Sequence, residues 1–161
     1  MLLLKTAGLA KVGMDNIDFR KIRVLSLDLD DTLWPIMPAI NRADEATMDW
    51  FKQHAPRVAQ DFDIAGIRAL RDEVTERFPE LAHDLGAQRR LCIRAALSRS
   101  GYHPAMTQGA WEIYYHHRLQ VELYSDAIDL LERALANPGH IRLAAVTNGN
   151  ADLSRIGIDH H

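Results

Sequence analysis

A short apolar run that ends abruptly in carboxylates constrains the fold of this chain more than any other feature. Residues 22–29 read IRVLSLDL, and Asp28, Asp30 and Asp31 lie at or directly after the end of that run. β-Branched and leucine residues clustered over such a length predict a buried strand of a parallel sheet. Carboxylates repel one another and are costly to desolvate unless a cation pairs with them. The acids therefore mark either a solvated turn or a cation-dependent reactive site at the strand end.

A second apolar segment, IRLAAVTNGN at residues 141–150, also ends in small polar residues. The two segments are predicted strands joined by helices, and a right-handed crossover would make them parallel with their carboxyl ends at one edge. Ligands of open α/β sheets bind outside those carboxyl ends. We therefore expect DLDDT (28–32) and TNGN (147–150) to share one site, although they are far apart in sequence.

Between the two strands, apolar residues recur at three- and four-residue steps, which predicts amphipathic helices. Breaks in the pattern separate four predicted helices. The first begins near residue 39, the second covers 64–78, the third ends before Gly101, and the fourth begins after Pro104. The segment HAPRVAQDFD interrupts the periodicity, and the prolines of WPIMP predict an irregular connection after the first strand. Ser125 is a predicted N-cap of a later helix with Ile128, Leu131 and Leu135 on its apolar face, and ADLSRIGIDHH resembles the start of another.

The predicted fold class is α/β, with a Rossmann-like parallel sheet core, incomplete in this chain, and an inserted all-helical cap. Residues 21–37 and 122–161 are assigned to the core, and residues 38–121 to the cap. Residues 1–20 are assigned to an N-terminal extension. Because Met14 stands just before the first strand region, residues 1–13 are expected to be a loose extension or the product of a misplaced start.

Composition narrows the classes of function. With 47% hydrophobic and 25% charged residues the chain is of ordinary globular composition. A net charge of −3 without a basic patch predicts no nucleic-acid partner, and no apolar run approaches the ~20 residues of a membrane span. The single cysteine, Cys92, suits a reducing cytoplasm and, within an apolar helical stretch, is predicted to be a buried hydrophobe rather than a nucleophile.

The residue types at the predicted site suit phosphoryl transfer. Asp28 and Asp30 offer oxygen donors of the kind that Mg²⁺ prefers while it keeps water and substrate phosphate in its shell. One carboxylate can attack phosphorus to form an acyl phosphate, and the second can protonate the departing alkoxide and later deprotonate water. The Thr147 hydroxyl and the amides of Asn148 and Gly149 are neutral donors suited to phosphoryl oxygens.

These motifs resemble those of the haloacid dehalogenase superfamily of phosphohydrolases. The first family motif, Asp-x-Asp-x-Thr, fits residues 28–32, and the second, a Thr or Ser at the end of the next strand, fits Thr147. The helical insertion resembles the family's helical cap, and the resemblance covers the chain from about residue 20 onward. The wider stretches DLDDTLW and VTNGNADL are most similar to the branch that includes phosphatases of flavin nucleotides and of the riboflavin pathway.

The resemblance implies a role for each matching residue. Asp28 would be the nucleophile and Asp30 the general acid/base, and both would contact Mg²⁺, Asp30 through its main-chain carbonyl. Thr147 would hold the transferring phosphoryl group of a small phosphorylated metabolite, with Asn148 beside it, and Asp31 is interpreted as turn-forming. A dehalogenase expels halide, which needs no proton, and its branch lacks the second Asp, so Asp30 favours a phosphatase.

The chain departs from the family pattern after the second motif. The family has a Lys in a third motif and an acidic pair in a fourth, whereas no Lys follows Thr147, and Asp152 and Asp159 fall in or at the end of a predicted helix. The chain is therefore expected to be the first two-thirds of a phosphatase, with little or no turnover alone. The alternatives are a non-catalytic remnant or interaction protein of the same fold and, less favoured, a phospho-receiver module, which carries no such insertion.

Other side chains have structural interpretations. The adjacent His116 and His117 point to different sides of a helix and are not expected to bind a metal ion. Five aromatic residues are expected in the cap core, namely Trp50, Phe51, Trp111, Tyr114 and Tyr115. Trp34 follows the first motif directly and is a candidate neighbour of the pocket.

Overall fold

Within the described residues, two short parallel strands form a sheet, as the sequence predicted. The computed structural model describes residues 21–136 and 141–159; the proposed N-terminal extension, residues 1–20, lies outside the described residues. Strand β1 (Val24–Leu27) pairs in register with β2 (Arg142–Ala145), so that Leu27 lies beside Ala145. Both strands are shorter than predicted. The pairing ends where the Val146 N–H donates to the Leu27 carbonyl oxygen at 2.9 Å, and the two acidic and polar clusters begin directly beyond that bond.

Seven α-helices lie within the described ranges. Five of them form the helical insertion that follows β1: α1 (Ile36–His54), α2 (Pro56–Asp61), α3 (Ile64–Arg77), α4 (Leu85–Arg99) and α5 (Thr107–Arg118). Short 3₁₀ turns at Pro79–Leu81 and Pro104–Met106 precede α4 and α5. Helix α6 (Ser125–Ala136) leads into β2, and α7 (Leu153–Ile156) follows it. The α/β fold class with an inserted helical unit is thereby confirmed.

Two predicted boundaries were wrong for reasons of proline placement. Helix α1 begins at Ile36, so that Pro38 lies in its first turn, where a main-chain N–H would have no partner within the helix. The interrupted segment after α1 forms α2, with Pro56 at the first helical position, which its fixed φ favours. Gly101 ends α4 with a φ of +76°, as predicted, because a residue with a side chain rarely adopts that conformation.

The five helices of the insertion, α1 to α5, bury one apolar cluster, the cap cluster. Its largest fully buried side chains are Phe51, Val58, Leu70, Cys92, Ile93 and Leu97. Trp111 and Tyr114 are buried with them, and Trp50 and Tyr115 pack against them, as expected. Burial raises the pKa of the Cys92 thiol to about 11, and its sulfur donates to the Ile67 carbonyl oxygen at 3.3 Å. Cys92 therefore stays protonated at neutral pH, which agrees with its prediction as a buried hydrophobe.

A buried carboxylate links three helices of the cap. Asp44 of α1 accepts from Arg68 Nε of α3 at 3.0 Å and from Arg89 Nη1 of α4 at 3.1 Å. The Asp44 and Arg89 side chains are 4% and 6% exposed, whereas that of Arg68 is 38% exposed. One carboxylate thus joins three helices through charged hydrogen bonds, which are stronger than neutral ones.

A second, smaller cluster lies beside the sheet. Leu29, Leu33, Trp34 and Ala127 are buried in it, with residues of α7 packed against them. The apolar face predicted for α6 was wrong at Ile128, which is 40% exposed; Ala127 and Leu131 form the buried side. None of the helices within 21–136 and 141–159 combines the length and the hydropathy that crossing a membrane requires.

Candidate functional site

The loop that follows β1 is stabilised by its own main chain. The N–H groups of Thr32 and Leu33 both donate to the Leu29 carbonyl oxygen, and the Asp31 N–H donates to the Trp34 carbonyl oxygen at 2.8 Å. Asp31 has a φ of +58°, a left-handed conformation that Asp tolerates better than most residues. Its Oδ1 accepts from the Ile36 N–H at 3.0 Å. Asp31 therefore turns the chain, as interpreted from sequence, and also anchors the start of α1.

Asp30 is held from two sides. On one side the indole Nε1 of Trp34 donates to its Oδ1 at 2.9 Å. On the other, Arg118 Nη2 donates to Oδ1 at 2.9 Å and to Oδ2 at 2.7 Å. Trp34 is fully buried and the Arg118 side chain is only 6% exposed, so both donors are themselves fixed by packing. The orientation of the Asp30 carboxylate is thus determined by a residue of its own loop and by the last residue of α5.

The residues after β2 lie against the same carboxylate. The Gly149 N–H donates to Thr147 Oγ1 at 3.0 Å. A Cβ atom placed on Gly149 would lie 2.9 Å from Asp30 Oδ2 and 3.2 Å from Thr147 Oγ1, so the absence of a side chain permits this approach. The structure therefore brings Asp30 and Thr147 together at one edge of the sheet, where the parallel topology placed them.

Asp28 and Asn148 are the outer members of the two clusters. Both are exposed, and across the described ranges the Asp28 carboxylate makes no hydrogen bond or ion pair. Asp28 lies one residue beyond Leu27, the last paired residue of β1. It is therefore available to a ligand at the strand end, whereas the contacts that join the two clusters are made by Asp30, Thr147 and Gly149.

The donor set at this edge fits Mg²⁺ in kind. Asp28 offers a carboxylate that has no partner among residues 21–136 and 141–159, and Asp30 offers a main-chain carbonyl two residues further on, so both donors are oxygen atoms. Mg²⁺ usually takes one or two carboxylates and completes its shell with water and substrate phosphate. Among the described residues no group of three or more His, Cys, Asp or Glu side chains could hold a metal ion. A metal at this edge would therefore depend on ligands besides these side chains.

Asp152, one of the two late acids, has a different task. Its Oδ1 accepts from the Ser154 hydroxyl at 2.7 Å and from the N–H groups of Ser154 and Arg155. The hydrogen bond from the Ser154 side chain is the main cause that lowers the pKa of Asp152. Asp152 is thus the N-cap of α7 and precedes the helix in which the sequence placed it.

A cavity of about 580 Å³ lies between the helical insertion and the site. Asp30 and Asn150 form its floor, and residues of the helical insertion form its walls, among them Ile36, Ile40, Arg71, Thr75, Leu85, Gln88, Arg89, Tyr114 and Arg118. Its volume is within the usual range for small-molecule sites. Trp34 does not line this cavity; it lies behind Asp30 and acts through it.

Sequence reasoning missed Arg118, which contacts the site most directly from the cap. A positively charged arginine is common at the carboxyl end of a helix, where it interacts favourably with the helix dipole. The position of Arg118 in the sequence therefore did not indicate a role in the site. Tyr115, one turn earlier, donates its hydroxyl to the Asn150 carbonyl oxygen at 3.1 Å and was assigned only to the cap core. Both contacts join residues that are far apart in sequence, and a single sequence does not show which distant residues meet.

Comparison with known proteins agrees with this geometry. The chain is 29% identical over 148 residues to 5-amino-6-(5-phospho-D-ribitylamino)uracil phosphatase YigB of Escherichia coli (strain K12), covering 86% of this chain and 58% of YigB. A solved structure of a 2-haloacid dehalogenase from Pseudomonas syringae pv. Tomato DC3000 matches with a TM-score of 0.75 and 30% identity, covering 86% of this chain and 60% of that one.

A further solved structure shares the fold at lower identity. The HAD-hydrolase YfnB from Bacillus subtilis, described as bound to magnesium, matches with a TM-score of 0.54 and 20% identity, over 86% of this chain and 61% of YfnB. No family model matches the chain. The chain thus spans about three-fifths of the length of each of these three proteins.

Proposed function

Because this chain belongs to the haloacid dehalogenase-like hydrolases by its motifs and its fold, we propose that it carries the nucleophile and the cap of a Mg²⁺-dependent phosphomonoester hydrolase. The observation that supports this most directly is the contact between the two motifs. Asp30 of the first motif lies against Thr147 and Gly149 of the second, beneath a cavity of metabolite size. A carboxylate, a hydroxyl and a free neighbouring Asp28 at one sheet edge are the groups that phosphoryl transfer through an acyl phosphate requires.

Each residue has a defined task in the proposed reaction. Asp28 attacks the phosphorus atom, and its Oδ–P bond forms as the bond to the departing alkoxide breaks. Asp30 gives its proton to that alkoxide and later takes one from the water that hydrolyses the acyl phosphate. Thr147 donates its hydroxyl to a phosphoryl oxygen, and Asn148 lies beside it. Asp28 and the Asp30 carbonyl would hold Mg²⁺, which when bound neutralises charge on the transferring group.

The substrate that we propose is a small phosphorylated metabolite. The cavity combines arginine, glutamine, asparagine and carboxylate side chains, the last from Asp30, Asp72 and Glu76, with the apolar Ile36, Ile40 and Leu85, which suits an alcohol with several polar groups and an apolar or planar part. YigB, whose name gives a phosphorylated ribitylaminouracil as its substrate, supports a related compound, flavin-type or sugar phosphate, for this protein. We further propose a cytoplasmic location, which the single buried cysteine supports.

The proposal is tested by assay of the full-length protein against a panel of phosphomonoesters that includes ribityl and sugar phosphates. We expect phosphate release that stops with EDTA and returns with Mg²⁺, and an acid-stable, hydroxylamine-labile phosphoryl group on the protein. Hydrolysis that is indifferent to EDTA would count against the metal, and a protein with no activity on the panel would favour the non-catalytic alternative.

A dehalogenase is the second candidate, because the solved structure with 30% identity has that name. The presence of Asp30, a carboxyl group that can supply the proton an alkoxide needs and a halide does not, favours an alkoxide leaving group. Release of chloride from 2-chloropropionate, measured beside the phosphate panel, distinguishes the two reactions. Faster chloride release than phosphate release would reverse the order of the candidates.

Gly149→Ala is expected to impair the reaction without unfolding the protein. The added Cβ would stand 2.9 Å from Asp30 Oδ2, so the carboxylate or the loop after β2 must move. Displacement of a reacting group by about 1 Å can reduce activity about 10²-fold. We expect kcat/KM to fall by about 10-fold or more, while Gly66→Ala, in the first turn of α3 and away from the site, stays within about twofold of wild type. Equal activities of the two variants would show that the approach of Gly149 to Asp30 is unimportant.

A further inference from the structure

Arg118, at the end of α5 in the cap, contacts Asp30, the proposed general acid, directly. Its Nη2 bonds both oxygens of the Asp30 carboxylate, at 2.9 and 2.7 Å, and its side chain is 6% exposed. The Asp30 side chain is 22% exposed, so it is the buried guanidinium, shielded from water, that holds the carboxylate through charged hydrogen bonds. Because Trp34 Nε1 donates to the same carboxylate, its orientation is set before any substrate enters.

The second terminal nitrogen of the same guanidinium has no partner within the described part of the chain. Arg118 Nη1 is buried and makes no hydrogen bond to any residue in 21–136 or 141–159. A buried donor of a charged group is rarely left unpaired, and such a group calls for an explanation such as a ligand. Arg118 borders the cavity, so an acceptor oxygen that enters beside it would supply the missing bond.

The other arginines around the cavity differ from Arg118, because Arg89 is bonded to a buried carboxylate and Arg71 is 38% exposed with an ion pair to an exposed neighbour. Arg89 is bonded to Asp44 at 3.1 Å, and Arg71 has Asp72 at 3.5 Å. Gln88 donates its amide to the Leu81 carbonyl oxygen at 2.8 Å. Among the cavity residues, Arg118 thus combines a buried positive charge with an unused donor.

We propose that Arg118 is a positioning residue with two partners, which uses Nη2 to hold Asp30 and Nη1 to bind an oxygen of the substrate's alcohol portion. This assignment rests on the proposed phosphatase function. It defines the substrate class as phosphomonoesters of alcohols that carry a further hydroxyl or carbonyl oxygen near the ester. Arg118 itself exchanges no proton: the alkoxide that leaves phosphorus takes the proton of Asp30 and departs as the neutral alcohol.

The effect of such a residue depends on the leaving group. An alkoxide leaves poorly and requires the proton that Asp30 supplies, whereas p-nitrophenolate leaves readily without one. The value of kcat/KM reports steps up to the first irreversible one, which is the formation of the acyl phosphate. Loss of Arg118 should therefore affect kcat/KM unequally for esters with different leaving groups, whereas general loss of structure lowers all of them alike.

The experiment measures kcat/KM of the full-length protein on p-nitrophenyl phosphate, n-propyl phosphate and glycerol 3-phosphate. For Arg118→Met we expect a loss of about 10²-fold or more on propyl phosphate and less than about 10-fold on the nitrophenyl ester. Glycerol phosphate should lose about a further 10-fold, because its hydroxyl group also loses the bond to Nη1. Arg118→Lys supplies one compact charge in place of the forked guanidinium. We therefore expect it to recover activity on propyl phosphate but not the additional activity on glycerol phosphate.

Arg99→Met is the matched control, since Arg99 ends α4 as Arg118 ends α5 and pairs with Glu73 at an exposed site. It should leave all three substrates within about twofold of wild type. Equal losses on the three esters in Arg118→Met would overturn the assignment and leave the proposed function standing. A wild-type protein inactive on all three esters would overturn both, and one active only on the nitrophenyl ester would overturn the assignment. Urea unfolding of each variant identifies any loss that is due to stability.

Discussion

Asp28→Asn is expected to abolish phosphate release by the full-length protein, with a loss of about 10³-fold or more in kcat. An amide of the same shape has no negative charge and does not form the acyl phosphate, so the covalent route is closed. The Asp28 side chain is exposed and has no protein partner across the described ranges, so its replacement removes no structural contact. Activity is measured by phosphate release under saturating Mg²⁺, and the labelled phosphoryl-protein should disappear with it.

Asp31→Asn is the control for this result. Asp31 lies in the same loop, but its φ of +58° and its bond to the Ile36 N–H are both available to asparagine, whose amide oxygen accepts in the same way. We expect activity within about threefold of wild type, because its task is conformational. If Asp28→Asn retained a tenth of wild-type activity, the nucleophile would have to be sought elsewhere.

Asp44→Ala is expected to have the largest effect on folding, a loss of about 3–5 kcal/mol in the free energy of unfolding. The change removes the carboxylate that Arg68 and Arg89 share, and Arg89, 6% exposed, is then left as a buried charge without its ionic partner. Arg68 is 38% exposed and can turn to water. A domain of this size has a total stability of roughly 5–15 kcal/mol, so the loss is a large fraction of it. Urea denaturation monitored by circular dichroism measures the difference.

Asp49→Ala separates this effect from the loss of any charge on α1. Asp49 lies on the same helix and pairs with Lys52 at 2.8 Å, but both side chains are more than 60% exposed, at 64% and 62%. Exposed ion pairs contribute about 0–1 kcal/mol, so little change is expected. A difference below about 1 kcal/mol between the two variants would mean that water or a rearranged side chain compensates Arg89.

The features that sequence predicted well have local causes. The parallel strands, the turn at Asp31 and the end of α4 at Gly101 each follow from periodicity or from the conformational preferences of one residue. The approach of Thr147 to Asp30 followed from topology, because parallel strands place their carboxyl ends together.

The features that it missed depend on contacts between distant parts of the chain. Arg118 reads as a helix-end cation, and only the packing of α5 over the loop after β1 brings it to Asp30. The Asp44 pairs likewise join three helices whose relative rotation the hydrophobic period does not specify. Ile128 was misplaced for the same reason: it fits the apolar stripe of α6, yet it is 40% exposed in the described structure.

The loop between Leu29 and Trp34 satisfies most of its hydrogen bonds within itself, and this has an evolutionary consequence. Its three internal main-chain bonds and the bond of Trp34 to Asp30 do not involve α3 or α4. Those two helices supply Arg71, Thr75 and Leu85 to the cavity wall. Substitutions at these wall positions can therefore accumulate without disturbing the geometry of the carboxylates. A lineage can therefore acquire a new substrate by substitutions in the cap wall while the arrangement of the carboxylates is inherited unchanged.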